Sequence, residues 1–301
     1  MRIIRRLVLL GLAAGTGFAL WLLVVWPPPS WYRTHWPSKT AFMRMREHQP
    51  RATHDTAALR YRPVPLESTS VWLARAAVAG EDDAFYAHGG IDWHSLRQAM
   101  GYRRDSFAWS STRDRAELRQ AMGQAYARRD RLRGASTITQ QLAKNLYLSP
   151  SRNPLRKLKE AVIAYRLEWA LPKDRIMALY LNVAEFGPNL WGVEAASRRY
   201  FNRSAAQLSM EQAAMLVATL PHPLSSNPVL RPGRTRWRQQ LILRRLRGER
   251  IDVPPEEVEE KPPVRDTVPA VPVDTIPVAP PPAGTPDTLP SADSAPAPAK
   301  P

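Results

Sequence analysis

The stretch AVAGEDDAFYAHGGIDW, Ala77 to Trp93, decides how this chain is read. An apolar run stops abruptly in three carboxylates (Glu81, Asp82, Asp83), two aromatics (Phe85, Tyr86), a histidine (His88) and the pair Gly89-Gly90. A solvated helix end gives such a pattern, and so does a catalytic corner. In the second case Glu81 sits in a partly desolvated cleft beside Phe85 and Tyr86, where burial raises a carboxyl pKa and makes it a competent base near neutral pH. His88 has two readings as well: a ligand or proton carrier, or a side chain that holds a neighbouring loop by hydrogen bonds. The two glycines permit positive φ and a tight return of the chain.

Outward from this corner the chain reads as helix after helix. STSVWLARAAVAGED leads into it and starts at Ser68 or Ser70; STITQQLAKNLYL continues the pattern further on. Pro154 opens PLRKLKEAVIAYRLEWAL, where Leu155, Leu158, Val162, Tyr165 and Trp169 step by three and four, the spacing of one buried helix face. Lys173–Asn182 forms a further helix. In LSMEQAAMLVATLP, Ser209 and Gln212 are spaced as a capping box and Pro221 is the stop. Between about Thr40 and Arg250 the expectation is one mainly α domain without internal repeats. Two arginine-rich stretches interrupt it. Tyr102–Arg133 holds nine arginines with no clear stripe and reads as a mobile loop or partly helical flap. Arg231–Arg250 holds eight and reads as an amphipathic helix whose basic face meets solvent or phospholipid.

The two ends differ from this centre. Leu7–Trp26 has twenty residues without a charge, enough for a helix to cross about 30 Å of hydrocarbon, and Arg2, Arg5 and Arg6 precede it. It is read as an uncleaved single-pass anchor with a cytoplasmic N-terminus and an exported domain. From Asp252 to Pro301 the chain carries 15 of its 30 prolines, a composition expected to stay disordered. That tail holds nine of the 27 acidic and three of the 43 basic side chains, leaving 40 basic against 18 acidic before it, a net of +22. Anchored, such a charge meets anionic lipid headgroups before nucleic acid, so membrane lipid is the expected partner. The absence of cysteine excludes disulfides, thiol nucleophiles and cysteine-based metal sites. The organisation expected is 1–27 basic start and anchor, 28–67 juxtamembrane linker, 68–250 the helical domain and 251–301 the tail.

Two more constellations carry chemistry. In RGASTITQQLAKN, a helix running from Thr137 places Thr137, Gln141, Lys144 and Asn145 on one face. That face offers hydroxyl, amide and ammonium donors to a phosphate or sugar, and the Gly134-Ala135 entry leaves the anion-attracting helix start approachable. The plainer reading is a surface helix capped at Ser136. In RKLKE, Arg156 and Lys157 lie four and three residues before Glu160, so both cations reach one carboxylate. Surface helices often carry such pairs, each stabilising by only about 0.2–0.5 kcal/mol.

Five blocks in order, EDDAFYAHGGID, GASTITQQLAKN, RKLKE, KDRIMALYLN and EFGPNLWGVEAASRRYFNRSAAQLSMEQAAMLVATLPHP, resemble the peptidoglycan glycosyltransferases, most closely the monofunctional, membrane-anchored transglycosylases. The resemblance covers about Ser68 to Pro228. It implies a lysozyme-like, mainly helical fold and the linking of lipid II disaccharides into β-1,4 glycan strands, with release of undecaprenyl diphosphate, at the bacterial inner membrane with the catalytic domain periplasmic. It places a catalytic base on Glu81 and a second essential carboxylate on Glu160. Sugar and pyrophosphate contacts fall on Ser136, Thr137, Gln141, Lys144, Asn145, Arg156 and Lys157, while Asp82, Phe85 and His88 shape the first block.

The resemblance implies lipid II and the growing strand as partners, with cell-division or elongation proteins as further ones and no nucleic acid. No cofactor is required; a divalent metal, magnesium or manganese, at the pyrophosphate is compatible with it. Ala135 and Ala178 depart from the pattern, at positions where glycine and glutamate are common. No Ser-x-x-Lys motif is present, so cross-linking activity is not expected. A lysozyme-like hydrolase or lytic enzyme also uses carboxylates, but needs one protonated acid for a sugar leaving group. Arg156 and Lys157 beside Glu160 favour a phosphate leaving group instead. The remaining alternative is an anchored scaffold without turnover.

Overall fold

The computed structural model describes residues 2–48, 60–102, 107–127, 136–148 and 154–249. Its helices are α1 (Arg2–Leu23), α2 (Ala41–His48), α3 (Val71–Glu81), α4 (Trp93–Met100), α5 (Thr112–Ala127), α6 (Ile138–Tyr147), α7 (Pro154–Ala170), α8 (Lys173–Val183), α9 (Val193–Phe201), α10 (Met210–Thr219) and α11 (Gly233–Leu246). The proline-rich tail and Gly134-Ala135 lie outside the described residues.

Within α1, Ile4–Leu23 is 20 residues long and apolar enough to cross a membrane, and none of its described side chains is buried. Its end is tied to the domain: the Arg166 guanidinium donates to the Leu23 carbonyl, and the Lys159 ammonium lies 4.4 Å from the Trp21 ring centroid. The residues that follow pack inward as well. Tyr32 and Met43 are buried. Arg33 donates to the Ala170 carbonyl at the end of α7 (2.8 Å), and Arg175 donates to the Tyr32 and His35 carbonyls.

α8 is the central element, buried from Ile176 to Val183. α6 packs on α7 and α8, while α3, α10 and α11 pack against one another. Local signals set the helix starts. Ser70 caps α3, and Ser68 instead ends a short 3-10 turn. Capping boxes open α6 (Thr137, Gln140) and α10 (Ser209, Gln212). A small sheet, absent from the sequence reading, joins β1 (Arg60–Tyr61), β2 (Glu185–Gly187) and β3 (Leu190–Trp191) in the order β1-β3-β2, with β1 parallel and β2 antiparallel to β3. The middle of Tyr102–Arg133 is the helix α5.

The structure reverses the expected face of α7. Leu155, Leu158 and Tyr165 are nearly half exposed, and Trp169 is 93% exposed. The buried side is Glu160, Ile163, Ala164 and Leu167. The apolar period is present, but α6 and α8 take the other face of the helix. Trp93 of α4 extends the exposed stripe, donating from Nε1 to the Tyr165 hydroxyl (2.9 Å).

Gly192 has φ +80, and a Cβ there would stand 2.6 Å from the Asn182 carbonyl oxygen. Asn182 in turn bonds the Val64 backbone through both side-chain atoms. Gly192→Ala is therefore expected to cost about 1–3 kcal/mol, seen as a fall of roughly 3–10 °C in Tm by calorimetry.

Candidate active site

The site begins where α3 ends. Asp82 caps the helix and turns inward: Oδ2 accepts from the backbone N–H of Ile138, the first residue of α6 (2.9 Å), and the carboxylate accepts from His88 Nε2 (2.9 and 3.1 Å). Gly90 N–H donates to His88 Nδ1 (3.2 Å), so this network assigns the histidine proton to Nε2. The Thr137 hydroxyl accepts from Gln140 N–H and donates to the Gly90 carbonyl (2.6 Å). Burial pushes the Asp82 carboxyl up, and the bonds from His88 and Ile138 oppose it.

These facts correct part of the sequence reading. The anion attracted to the start of α6 is Asp82 itself. The cap is Thr137, and α6 is a buried helix with its hydroxyl already used. Phe85 is fully buried, with the Lys173 ammonium 4.4 Å from its ring centroid. Lys173 also donates to the His88 carbonyl (2.6 Å) and to Glu168 (2.8 Å). Asp82, Phe85, His88 and Thr137 thus hold the corner together.

Glu81, one residue before Asp82, points the other way. Its Oε2 accepts from Gln141 Nε2 (2.8 Å) and its Oε1 from Arg238 Nη2 of α11 (2.9 Å), with the side chain 9% exposed. The amide of Gln141 is itself oriented, because its oxygen accepts from the buried Tyr180 hydroxyl (3.3 Å).

Glu160 is buried on α7, and both of its oxygens accept from cations, Oε2 from Arg156 (2.8 Å) and Oε1 from Lys157. Lys157 also donates to Ser136 Oγ (2.9 Å). The bland picture of a solvated surface pair does not hold here. Lys144 links this cluster to Glu81. Burial pushes its ammonium below the usual lysine range against the attraction of Glu160 and Glu81, while Lys157 and Arg156 add to the depression. Asn145 is buried beside it on α6.

One cluster therefore gathers Glu81, Gln141, Lys144, Ser136, Arg156, Lys157 and Glu160. It can accept a proton at one end and hold an anion with three cations at the other. Sequence reasoning missed Arg238, Tyr180 and Lys173, which come from distant helices. The only signal for Arg238 was the density of arginines in α11, read as an outward basic face.

The Transglycosylase family matches residues 102–247, which include Ser136 to Glu160 and follow Glu81. A biosynthetic peptidoglycan transglycosylase of Bordetella pertussis (strain Tohama I) is 40% identical over 248 residues, 82% of this chain and 93% of that one. The chain belongs to the transglycosylase family. A namesake from Azoarcus sp. (strain BH72) is 40% identical to this transglycosylase over 212 residues, 70% of this chain and 82% of its own, and one from Herminiimonas arsenicoxydans 39% over 216, 72% and 84%.

Because burial disfavours the charged form of Lys144, the unfolded transglycosylase binds more protons than the folded one in the window below the ordinary lysine value of 10.5, and stability rises with pH there. Lys144→Met should raise Tm at pH 7 by about 2–4 °C, and its advantage over the parent should shrink as pH approaches 10.5. Thermal melts of both proteins across that range check the sign.

Proposed function

We propose that this transglycosylase polymerises lipid II into β-1,4 glycan strands at the outer face of the bacterial inner membrane, with Glu81 as base. The chain is a peptidoglycan glycosyltransferase of cell-wall synthesis. The observation that carries the mechanism is the pairing of one hydrogen-bonded carboxylate with a separate carboxylate wrapped in cations, with the half-buried Lys144 between them.

An alcohol is a poor nucleophile, so its proton must leave as it attacks. The 4-hydroxyl oxygen of the incoming lipid II bonds to C1 of the donor sugar, its proton passes to Glu81, and the C1–O bond to diphosphate breaks with inversion. Undecaprenyl diphosphate departs with the electron pair. Its charge is received by Lys144, Arg156 and Lys157 through charge-assisted hydrogen bonds. Glu160 holds the latter two in place. Ser136, Gln141 and Asn145 line the sugar side. No proton donor to the leaving group is needed, which separates this site from a glycosidase. Among the described residues no three His, Cys, Asp or Glu side chains gather as a metal site. In this proposal the cations receive the diphosphate.

The exposed stripe of α7 serves as the membrane seat. Leu155, Leu158, Tyr165 and Trp169 run beside the docked end of α1, and a cavity of about 400 Å³ lined by Gly89, Tyr165, Arg166, Glu168 and Trp169 opens alongside to receive an acyl chain. Tryptophan and tyrosine suit the headgroup level, with the basic side chains toward anionic lipid. The anchor then leaves its N-terminus cytoplasmic and the domain periplasmic.

Purified protein given lipid II should form polymer and leave finished glycan intact, and Glu81→Gln should lower the rate by about 10²-fold or more. Digestion of glycan without polymerisation would assign a hydrolase, and full activity in the variant would remove Glu81 as the base. For the membrane seat, protein lacking residues 1–26 should pellet with anionic vesicles, and Leu158→Ser with Trp169→Ser should weaken that binding about tenfold; unchanged pelleting would place the seat elsewhere.

A further inference from the structure

We infer that Arg238 is a positioning residue for the base, fixing the carboxylate of Glu81 from a helix some 157 residues away in sequence. The inference rests on Glu81 being the base, as proposed above.

A carboxylate at the last position of a helix is badly placed, because the exposed carbonyls there carry the negative end of the helix dipole. α3 has no basic residue in its own last turn. Left to itself, Glu81 would be driven out toward water. Two arginines of α11 supply what is missing. Arg245 Nη1 donates to the Ala79 carbonyl (2.8 Å), and Arg238 Nη2 donates to the Gly80 carbonyl (2.8 Å) and to Glu81 Oε1 (2.9 Å). One nitrogen of Arg238 thus caps the helix and grips the carboxylate together.

The approach depends on Gly80. A Cβ at that position would meet Ile242 Cδ1 of α11 and Val217 Cγ1 of α10 at 3.0 Å, so the bare backbone lets α11 come close enough for Arg238 to reach. The other oxygen of Glu81 is held from the opposite side by Gln141, whose amide is turned by Tyr180. Held at both oxygens by groups on α6 and α11, the carboxylate plane cannot rotate, and its remaining lone pairs keep one direction toward the acceptor hydroxyl. A misplacement of about 1 Å can cost 10²-fold in rate. The planar guanidinium, with two hydrogens on one nitrogen, suits this double contact better than an ammonium.

Arg245 provides the control, since it caps α3 without touching Glu81. In lipid II polymerisation assays, Arg238→Ala should lower kcat about 10²-fold with KM within about threefold, and added guanidinium ion should restore part of the loss. Arg245→Gln should keep parental kcat even where its Tm falls as far. Parental kcat in Arg238→Ala, or equal kcat losses in the two variants without guanidinium rescue, would overturn the inference. A second readout needs no turnover: the 13C carboxyl resonance of Glu81, assigned by its loss in Glu81→Gln, should shift in Arg238→Ala and stay in place in Arg245→Gln. An unmoved resonance in Arg238→Ala overturns the positioning role. Absence of polymer from the parent with the resonance shifting as expected would instead retire Glu81 as the base and leave the contact standing.

Discussion

The contact between Asp82 and the start of α6 is the constraint from which the site follows. A buried carboxylate accepts from a helix-opening N–H and from a histidine, so the end of α3 and the beginning of α6 are held at hydrogen-bond distance. Backbone geometry then sends the preceding side chain, Glu81, the opposite way. It faces Gln141, one turn into α6, and Lys144 lies three residues further along the same face. The two adjacent acidic residues face different partners: Asp82 holds the start of α6 and His88, while Glu81 is held by Gln141 and Arg238. Truncating the inner one would leave a buried N–H and a buried imidazole without their acceptor, a costly loss.

Lys144 shows the tension that such a site holds. Desolvation of its ammonium is unfavourable for folding, and on the proposed reaction that cost is offset when charge arrives with the substrate. Glu160 carries less strain of this kind, since Arg156 and Lys157 already serve both of its oxygens. On the proposed reaction, the three cations would turn to the entering diphosphate.

Much of this was legible from local pattern. The apolar N-terminal helix, the capping box of α10, the helical period and the RKLKE cluster all depend on neighbours within four residues, and the structure has them. What depended on distant partners was not legible. The α7 stripe had the right period, yet periodicity states only that one face differs from another; which face meets the core is decided by α6 and α8. The residues RGASTITQQLAKN suggested an open helix start, because nothing local reveals that Asp82, 56 residues earlier, already occupies it. Thr137 and Ser136 are both plausible caps by type, and only the fold distinguishes them. Arg238 was one arginine among eight, and its inward turn is set by Gly80 and by the packing of α11 on α3.

The junction between α1 and the domain has little slack. Within a few residues of Leu23 the chain is fastened by Arg166, by buried Tyr32 and by Arg33 on the end of α7. On the proposed membrane seat, the anchor acts as a lever rather than a tether: a bilayer thicker or thinner than its 20-residue span changes the tilt of α1. A rigid shoulder passes that tilt to α7, which carries Glu160. Lipid composition would then set the height and pitch at which the Glu81–Glu160 cluster meets a substrate gliding in two dimensions.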